Sequence, residues 1–482
     1  MTNVAKNNND VKPQIGGDDK KVQKRLMTIV LMLAIYYVLA LMPTIEGLTP
    51  EGQKAIGLMI IAVIAWVSEV VPIGIASIFF VLIQHVAGVM PAGPATANFA
   101  PPTLLFVLAS FFLAFALNMS GLSNRIALKL TSLSGGSPKK AVFYIMSATA
   151  LLSTVISDVP AAAAFFPIGL SLLQQNNVKV GQSNFGKSLM IGIPFASLIG
   201  GVATPAGSSL NVLSLNLLES TTGIVITFTQ WAALGIPFVI IMTPLAILAL
   251  NWVFPPEIEH LVGIENIEED YKALGPLNKA EIKFIVIFIG LLIVWFTESI
   301  HGVPIPVSST IGAALFFCPG IDILDWKSTK DKIGWDTILL IGASSSLGAS
   351  LWQSGGATWI AEVVLGGISE ASTFIVILAL VVFTIVIHLL VPVNPAIVSI
   401  MVPTLAALAT SMGLNPAFLV VPMGFTVSAA FLLPLDPVPL ITYQADYYKM
   451  TDYFKGGMVA SVIWTVIMTA LILLLAGPIG LF

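Results

Sequence analysis

The chain has 482 residues, of which 57% are hydrophobic and only 10% charged, and its mean hydropathy is +0.96. An average soluble domain carries about 25% charged residues, so composition excludes an ordinary soluble protein and leaves a polytopic membrane protein embedded in a lipid bilayer. The net charge of −4 offers no basic surface for nucleic acid, and the single cysteine, Cys318, excludes an internal disulfide and is read as a packing residue.

In chain order, residues 1–25 form a polar head containing Lys12, Lys20, Lys21, Lys24 and Arg25. A cleaved signal peptide places its apolar core directly after a short basic start, so this head is expected to persist as a cytoplasmic tail. The basic cluster beside the first apolar run also puts that end inside a cell membrane by the positive-inside rule. Leu26 to Met42 runs without a charge and predicts an extra first span within residues 26–50. The apolar runs that follow suffice for about eleven transmembrane helices at ~20 residues each. Some runs are too long and others too short for one crossing, which is what re-entrant hairpins and broken helices do to hydropathy.

The rest of the chain reads as two related halves, 51–254 and 284–482. Trp66-Val67-Ser68-Glu69 recurs as Trp295-Phe296-Thr297-Glu298, and residues 109–127 align without gaps to 343–361 with eight identities in nineteen positions. Between the halves, residues 255–283 carry Glu257, Glu259, Glu265, Glu268, Glu269, Asp270 and Glu281 and are expected to form a solvated cytoplasmic linker.

Each half contains a short polar interruption inside an apolar run. Ser157-Asp158-Val159-Pro160 breaks the first and Val393-Asn394-Pro395 the second, 236 residues later, with Pro167 and Pro403 at the same separation. Paired breaks of this kind are the best sequence pointer to a transporter's binding site. A second pair follows: Thr204-Pro205-Ala206-Gly207, leading to Ser208, Ser209 and Asn211, and Leu433-Pro434-Leu435-Asp436-Pro437. A broken helix exposes a new N-terminus whose free N–H groups attract anions, and two such breaks facing each other suit the two ends of a dianion. None of the four segments contains Lys or Arg. Backbone N–H groups, hydroxyls and amides are therefore expected to bind the anion.

With these residues in view, the chain resembles the divalent anion/sodium symporter family, the INDY-like dicarboxylate transporters, and especially its exchanger branch with the 2-oxoglutarate/malate translocators. The likeness rests on Trp66 to Pro72, Leu113 to Ala127, Ser157-Asp158-Val159, Gly200 to Gly207 leading to Asn211, and Asn394. It implies an all-α inverted repeat with two re-entrant helical hairpins and two broken helices, and a homodimer in which a scaffold holds an elevator-type transport domain, here about 99–254 and 334–482. Hairpin tips map near Ala109-Ser110 and Ser344-Ser345-Ser346. The implied substrate-binding set is Ser157, Asp158, Val159, Val393, Asn394, Pro395, Thr204, Pro205, Gly207, Ser208, Asp436 and Pro437.

Departures from the family pattern sharpen the expectation. The family's sodium ions sit beside two Ser-Asn-Thr motifs, but only Ser157 and Asn394 keep the motif residue here. Asp158 replaces an amide by a carboxylate, and Val159, Val393 and Pro395 remove oxygen or amide groups. No metal site and no cofactor is therefore expected, and the function expected is sodium-independent dicarboxylate exchange. Asp158 is open to three readings: a helix cap, a cation ligand or a proton carrier. His388, six residues before Asn394, is a candidate for charge compensation, with a neutral packed histidine as the plain alternative. Capping and functional readings likewise compete for Asp436. Glu69 and Glu298 read as helix-end groups, and Trp66, Trp295, Trp335, Trp352 and Trp359 as interface anchors or packing. No catalytic motif is present. The alternatives carried forward are a sodium- or proton-coupled symporter of the same fold and, more remotely, an anion channel.

Overall fold

Caps, prolines and left-handed glycines cut this apolar chain into helices at points that hydropathy alone does not mark. The computed structural model describes residues 19–365, 367, 371–389, 391 and 393–481, and no strand occurs among them. Helix α1 (Asp19–Leu41) takes in Asp19 to Arg25 of the expected tail; the remainder of that tail, residues 1–18, lies outside the described residues. Helix α2 (Pro50–Ser68) starts at Thr49, whose hydroxyl accepts from the Gly52 amide at 2.9 Å, with Pro50 in the first turn where no donor is needed. A cap of this kind is worth about 1 kcal/mol.

The first half continues through α3 (Ile73–Val86), α4 (Ala92–Phe99), α5 (Pro102–Ser120), α6 (Leu122–Ser132), α7 (Pro138–Ile156), α8 (Asp158–Gln175), α9 (Asn184–Gly201), α10 (Ser209–Thr222) and α11 (Phe228–Val253). Helix α12 (Ile264–Ala273) lies in the linker. The second half runs α13 (Lys279–Phe296), α14 (Glu298–His301), α15 (Ile305–Leu315), α16 (Trp326–Thr329), α17 (Trp335–Gln353) and α18 (Gly356–Ile360). It ends with α19 (Thr373–Ile387), α20 (Asn394–Ser411), α21 (Ala417–Thr426), α22 (Pro437–Tyr443) and α23 (Met450–Leu475). Corresponding helices match in length: α5 and α17 have 19 residues each, α8 and α20 have 18, and α11 and α23 have 26. Pro167 and Pro403 lie at equivalent positions inside α8 and α20.

Seven helices among the described residues are long and apolar enough to cross a bilayer, fewer than the eleven or so expected. Four further apolar helices, α3, α15, α19 and α21, have only 10–17 residues, because breaks divide the runs that hydropathy joins. The implied hairpin tips are also displaced. Ala109 and Ser110 lie inside unbroken α5, where Ser110 donates to the Phe106 carbonyl at 2.8 Å, and Ser344 to Ser346 lie inside unbroken α17. The chain turns only after these helices, at Gly121 (φ 88°) and Gly355 (φ 77°). The serines of α17 bridge to other helices: Ser345 accepts from Asn216 Nδ2 at 2.6 Å, and Ser346 donates to the Ala95 carbonyl at 2.9 Å while accepting from Gln84 Nε2.

Among the described residues, two buried clusters form the core, a large one running through both halves and a smaller one joining α1 to α4 with α17. Trp66 and Trp295 are each 1% exposed, which settles them as packing residues and not interface anchors. The linker is not simply solvated. Arg125 of α6 reaches across to Glu281 through Nε at 2.6 Å and Nη2 at 3.0 Å, and also donates to the carbonyls of Gly275 and Pro276. Glu281 in turn closes a capping box with Asn278 at the start of α13. Arg125→Ala and Glu281→Ala are each expected to lower the thermal midpoint of the purified protein by several degrees. The double variant should lose less than the sum of the two, because both single changes remove the same ion pair; additive losses would show that the pair is not coupled.

Candidate functional site

Four helices begin at one place. Helix α8 starts after Ser157, α10 after Ser208, α20 after Val393 and α22 after Asp436. A proline at or near each start, or a preceding short 3₁₀ turn at Pro205–Gly207, prevents the upstream helix from running on. The breaks also cross between halves: α22 packs on α8 and α9, while α10 packs on α20.

Contacts at the starts tie them together. Ser208 and Asp158 are neighbours at these starts, and the carboxylates of Asp158 and Asp436 are close enough to interact electrostatically. Asn394 Nδ2 donates to Asp436 Oδ2 at 2.7 Å, and the Val438 amide donates to Asp436 Oδ1 at 3.0 Å. His388 lies close enough to Asp436 for their charges to interact, and its Nε2 sits 2.8 Å from the Val427 carbonyl. Asn211 Nδ2 donates to the carbonyls of Gly201 and Thr204, at 2.8 and 2.9 Å, which pins the Thr204-Pro205 break. Thr204 Oγ1 donates to the Thr154 carbonyl at 2.7 Å, and Ser197 Oγ to the Asp158 carbonyl at 2.5 Å.

Several buried polar atoms here have no protein partner: Asp158 Oδ1, Asn211 Oδ1, Asn394 Oδ1, His388 Nδ1 and Ser428 Oγ. Buried polar groups are ordinarily paired, because an unpaired one costs about 1–3 kcal/mol. Asp158, Asn211 and Asn394, which lie at or just inside the helix starts, thus leave acceptor oxygens that the protein does not use.

The expected residues divide as follows. Ser157, Asp158, Thr204, Pro205, Gly207, Ser208, Asn394 and Asp436 belong to the gathered helix starts. Val159 is 42% exposed and Pro437 is also exposed, while Val393 and Pro395 are half-buried, and all four lie at or next to the same helix starts. The capping role weighed for Asp158 falls instead to Asp436, whose side chain accepts from Val438; at α8 the cap position is Ser157 and makes no side-chain cap bond. His388 is buried and bonded to backbone, as the plain reading had it, yet it also faces Asp436. Thr154, Ser197, Gly201 and Ser428 were not singled out from sequence. Gly201 had a signal in its position beside the Thr204-Pro205 break; the others are hydroxyl residues among many in apolar helices.

Similarity to known proteins agrees with this architecture. The family model described as "Sodium:sulfate symporter transmembrane region" matches residues 23–481. A "Membrane protein" of Cupriavidus necator is 26% identical, over 89% of this chain and 88% of its own. The "Sodium-dependent dicarboxylate transporter SdcS" of Staphylococcus saprophyticus is 23% identical, over 90% and 88%. The crystal structure of the Alcanivorax borkumensis YdaH transporter shares the fold, with a TM-score of 0.54 at 17% identity, covering 95% of this chain and 98% of that one. With nearly the whole chain matched and its helices broken at paired positions, this multi-pass membrane protein belongs to the divalent anion/sodium symporter family.

Proposed function

We propose that the chain is a secondary active transporter of C4 and C5 dicarboxylates, such as malate, succinate, fumarate and 2-oxoglutarate, working by sodium-independent exchange. The observation that carries this reading is the meeting of four helix starts from both halves around a centre whose four break segments contain no lysine or arginine. Each helix N-terminus carries partial positive charge and free N–H groups, which favours an anion at these starts. Binding by backbone and amide donors, without a fixed cation, suits release on the far side. The missing side-chain oxygens at Val159, Val393 and Pro395 favour the sodium-free form. On this reading the parts 99–254 and 334–482 move as an elevator against a scaffold, in a homodimer of the cell membrane with a cytoplasmic N-terminus.

A sodium- or proton-coupled symporter is the second reading, favoured by the buried carboxylate of Asp158 and by the name of the Staphylococcus relative. Counterflow in proteoliposomes separates the two. Labelled succinate should enter vesicles loaded with unlabelled dicarboxylate, with or without sodium, and should enter unloaded vesicles poorly. Uptake that needed a sodium gradient and ignored internal dicarboxylate would overturn exchange.

A further inference from the structure

Asp158 and Asp436 come from opposite halves, and their surroundings differ in a way that the carrier reading leaves unexplained. Asp436 is served as a carboxylate: one oxygen accepts from Asn394 Nδ2 and the other from the Val438 amide. Asp158 is 6% exposed, and among the described residues its Oδ1 has no donor. That oxygen instead faces the backbone of Gly201, so closely that a methyl group there would stand 2.4 Å from it. Asn211, held on the Gly201 and Thr204 carbonyls, and Asn394, held on Asp436, each also bury an Oδ1 without a donor among the described residues, in side chains 0% and 5% exposed. Of the five unpartnered atoms named at this site, three are carboxylate or amide oxygens that can only accept while Asp158 is ionised, and the Ser428 hydroxyl is an uncommitted donor.

The other titratable groups facing the pair do not supply Asp158 Oδ1 with a donor. His388 has its Nε2 committed to the Val427 carbonyl and lies on the Asp436 side, and the Tyr453 hydroxyl donates to the Ala430 carbonyl at 2.9 Å. Helices α7, α8, α9, α10, α20, α21 and α22 bring no Lys or Arg to the pair; Lys187 of α9 is bonded to Asp452, far along its helix.

We propose that Asp158 and Asp436 form an acid pair that holds one proton when a dicarboxylate is bound, with the proton on Asp158. This inference rests on the dicarboxylate reading and adds the species that the site requires. Two facing carboxylates and a dianion repel one another. One proton removes a charge and gives the buried Asp158 carboxyl an O–H to donate. The proton comes from the water with the dianion and returns to it when the dianion leaves, so each half of an exchange cycle carries both.

Binding of fumarate, a dianion throughout the neutral and alkaline range, tests this on the purified full chain. Calorimetry in two buffers of different ionisation enthalpy reads proton uptake directly. Uptake approaching one proton per fumarate is expected on the alkaline side, with affinity falling about tenfold for each unit of rising pH. Asp158→Asn and, independently, Asp436→Asn should flatten that pH dependence. A flat wild-type profile, or a slope unchanged in both variants, overturns the acid pair while leaving the carrier intact. Failure of fumarate and of every other dicarboxylate to bind or to exchange overturns the carrier reading, and the proton with it.

Discussion

Replacing Gly201 by alanine is expected to reduce dicarboxylate counterflow by about a hundredfold, the scale of loss that a 1 Å misplacement of binding groups can bring. The added methyl would stand 2.4 Å from Asp158 Oδ1 and 3.0 Å from the Gly207 carbonyl. Neither neighbour can yield cheaply. Asp158 is the first residue of α8, its own carbonyl is held by Ser197, and its side chain meets Ser208. Gly207 is reciprocally placed, since a methyl on it would lie 2.4 Å from the Gly201 carbonyl, the atom that Asn211 holds. Gly207→Ala should therefore reproduce the defect. Gly290→Ala is the control: a methyl on Gly290 in α13 meets nothing within 4 Å, and alanine is the better helix former there by up to ~1 kcal/mol. Counterflow in matched proteoliposomes decides. Normal exchange by Gly201→Ala would show that the two breaks do not form the binding centre.

The reach of the sequence is visible in these same residues. Apolar composition gave the all-helical membrane class, and the paired Trp-x-x-Glu segments and polar interruptions pointed to two halves with a site between them. Those features are local, because a proline or a buried carboxylate marks its own position. What could not be read was which breaks reverse the chain and which side chains cross between halves. Ala109-Ser110 and Ser344 to Ser346 looked like hairpin tips, yet a serine inside a helix can satisfy itself on its own backbone, as Ser110 does on Phe106. Capping is open at both Asp158 and Asp436 in the sequence and is found only at Asp436, because the choice depends on which amide lies within reach. The linker looked solvated because its brace, Arg125 to Glu281, spans 156 residues of sequence.

Ser157→Gly is expected to make the protein more stable and a poorer carrier at once. Ser157 has φ 73° and ψ 158°, a region open essentially only to glycine, and occupying it with a side chain costs about 1–3 kcal/mol. Glycine removes that cost but loses roughly 0.5–1 kcal/mol to the greater freedom of the unfolded chain, which leaves a net gain of about 1 kcal/mol. Strain kept at this position implies that the serine is held there for its hydroxyl, which is half-buried at the start of α8 beside Asp158. A hydrogen bond from such a hydroxyl to a charged ligand is worth about 1.5–3 kcal/mol, so dicarboxylate affinity should fall by roughly ten- to a hundredfold. Ser157→Ala separates the two effects: it loses the hydroxyl while keeping a β-carbon in the strained conformation. The alanine variant should match the glycine variant in weakened affinity but not in raised thermal midpoint. Equal midpoints would refute the strain, and unchanged affinity in both would remove Ser157 from the binding centre.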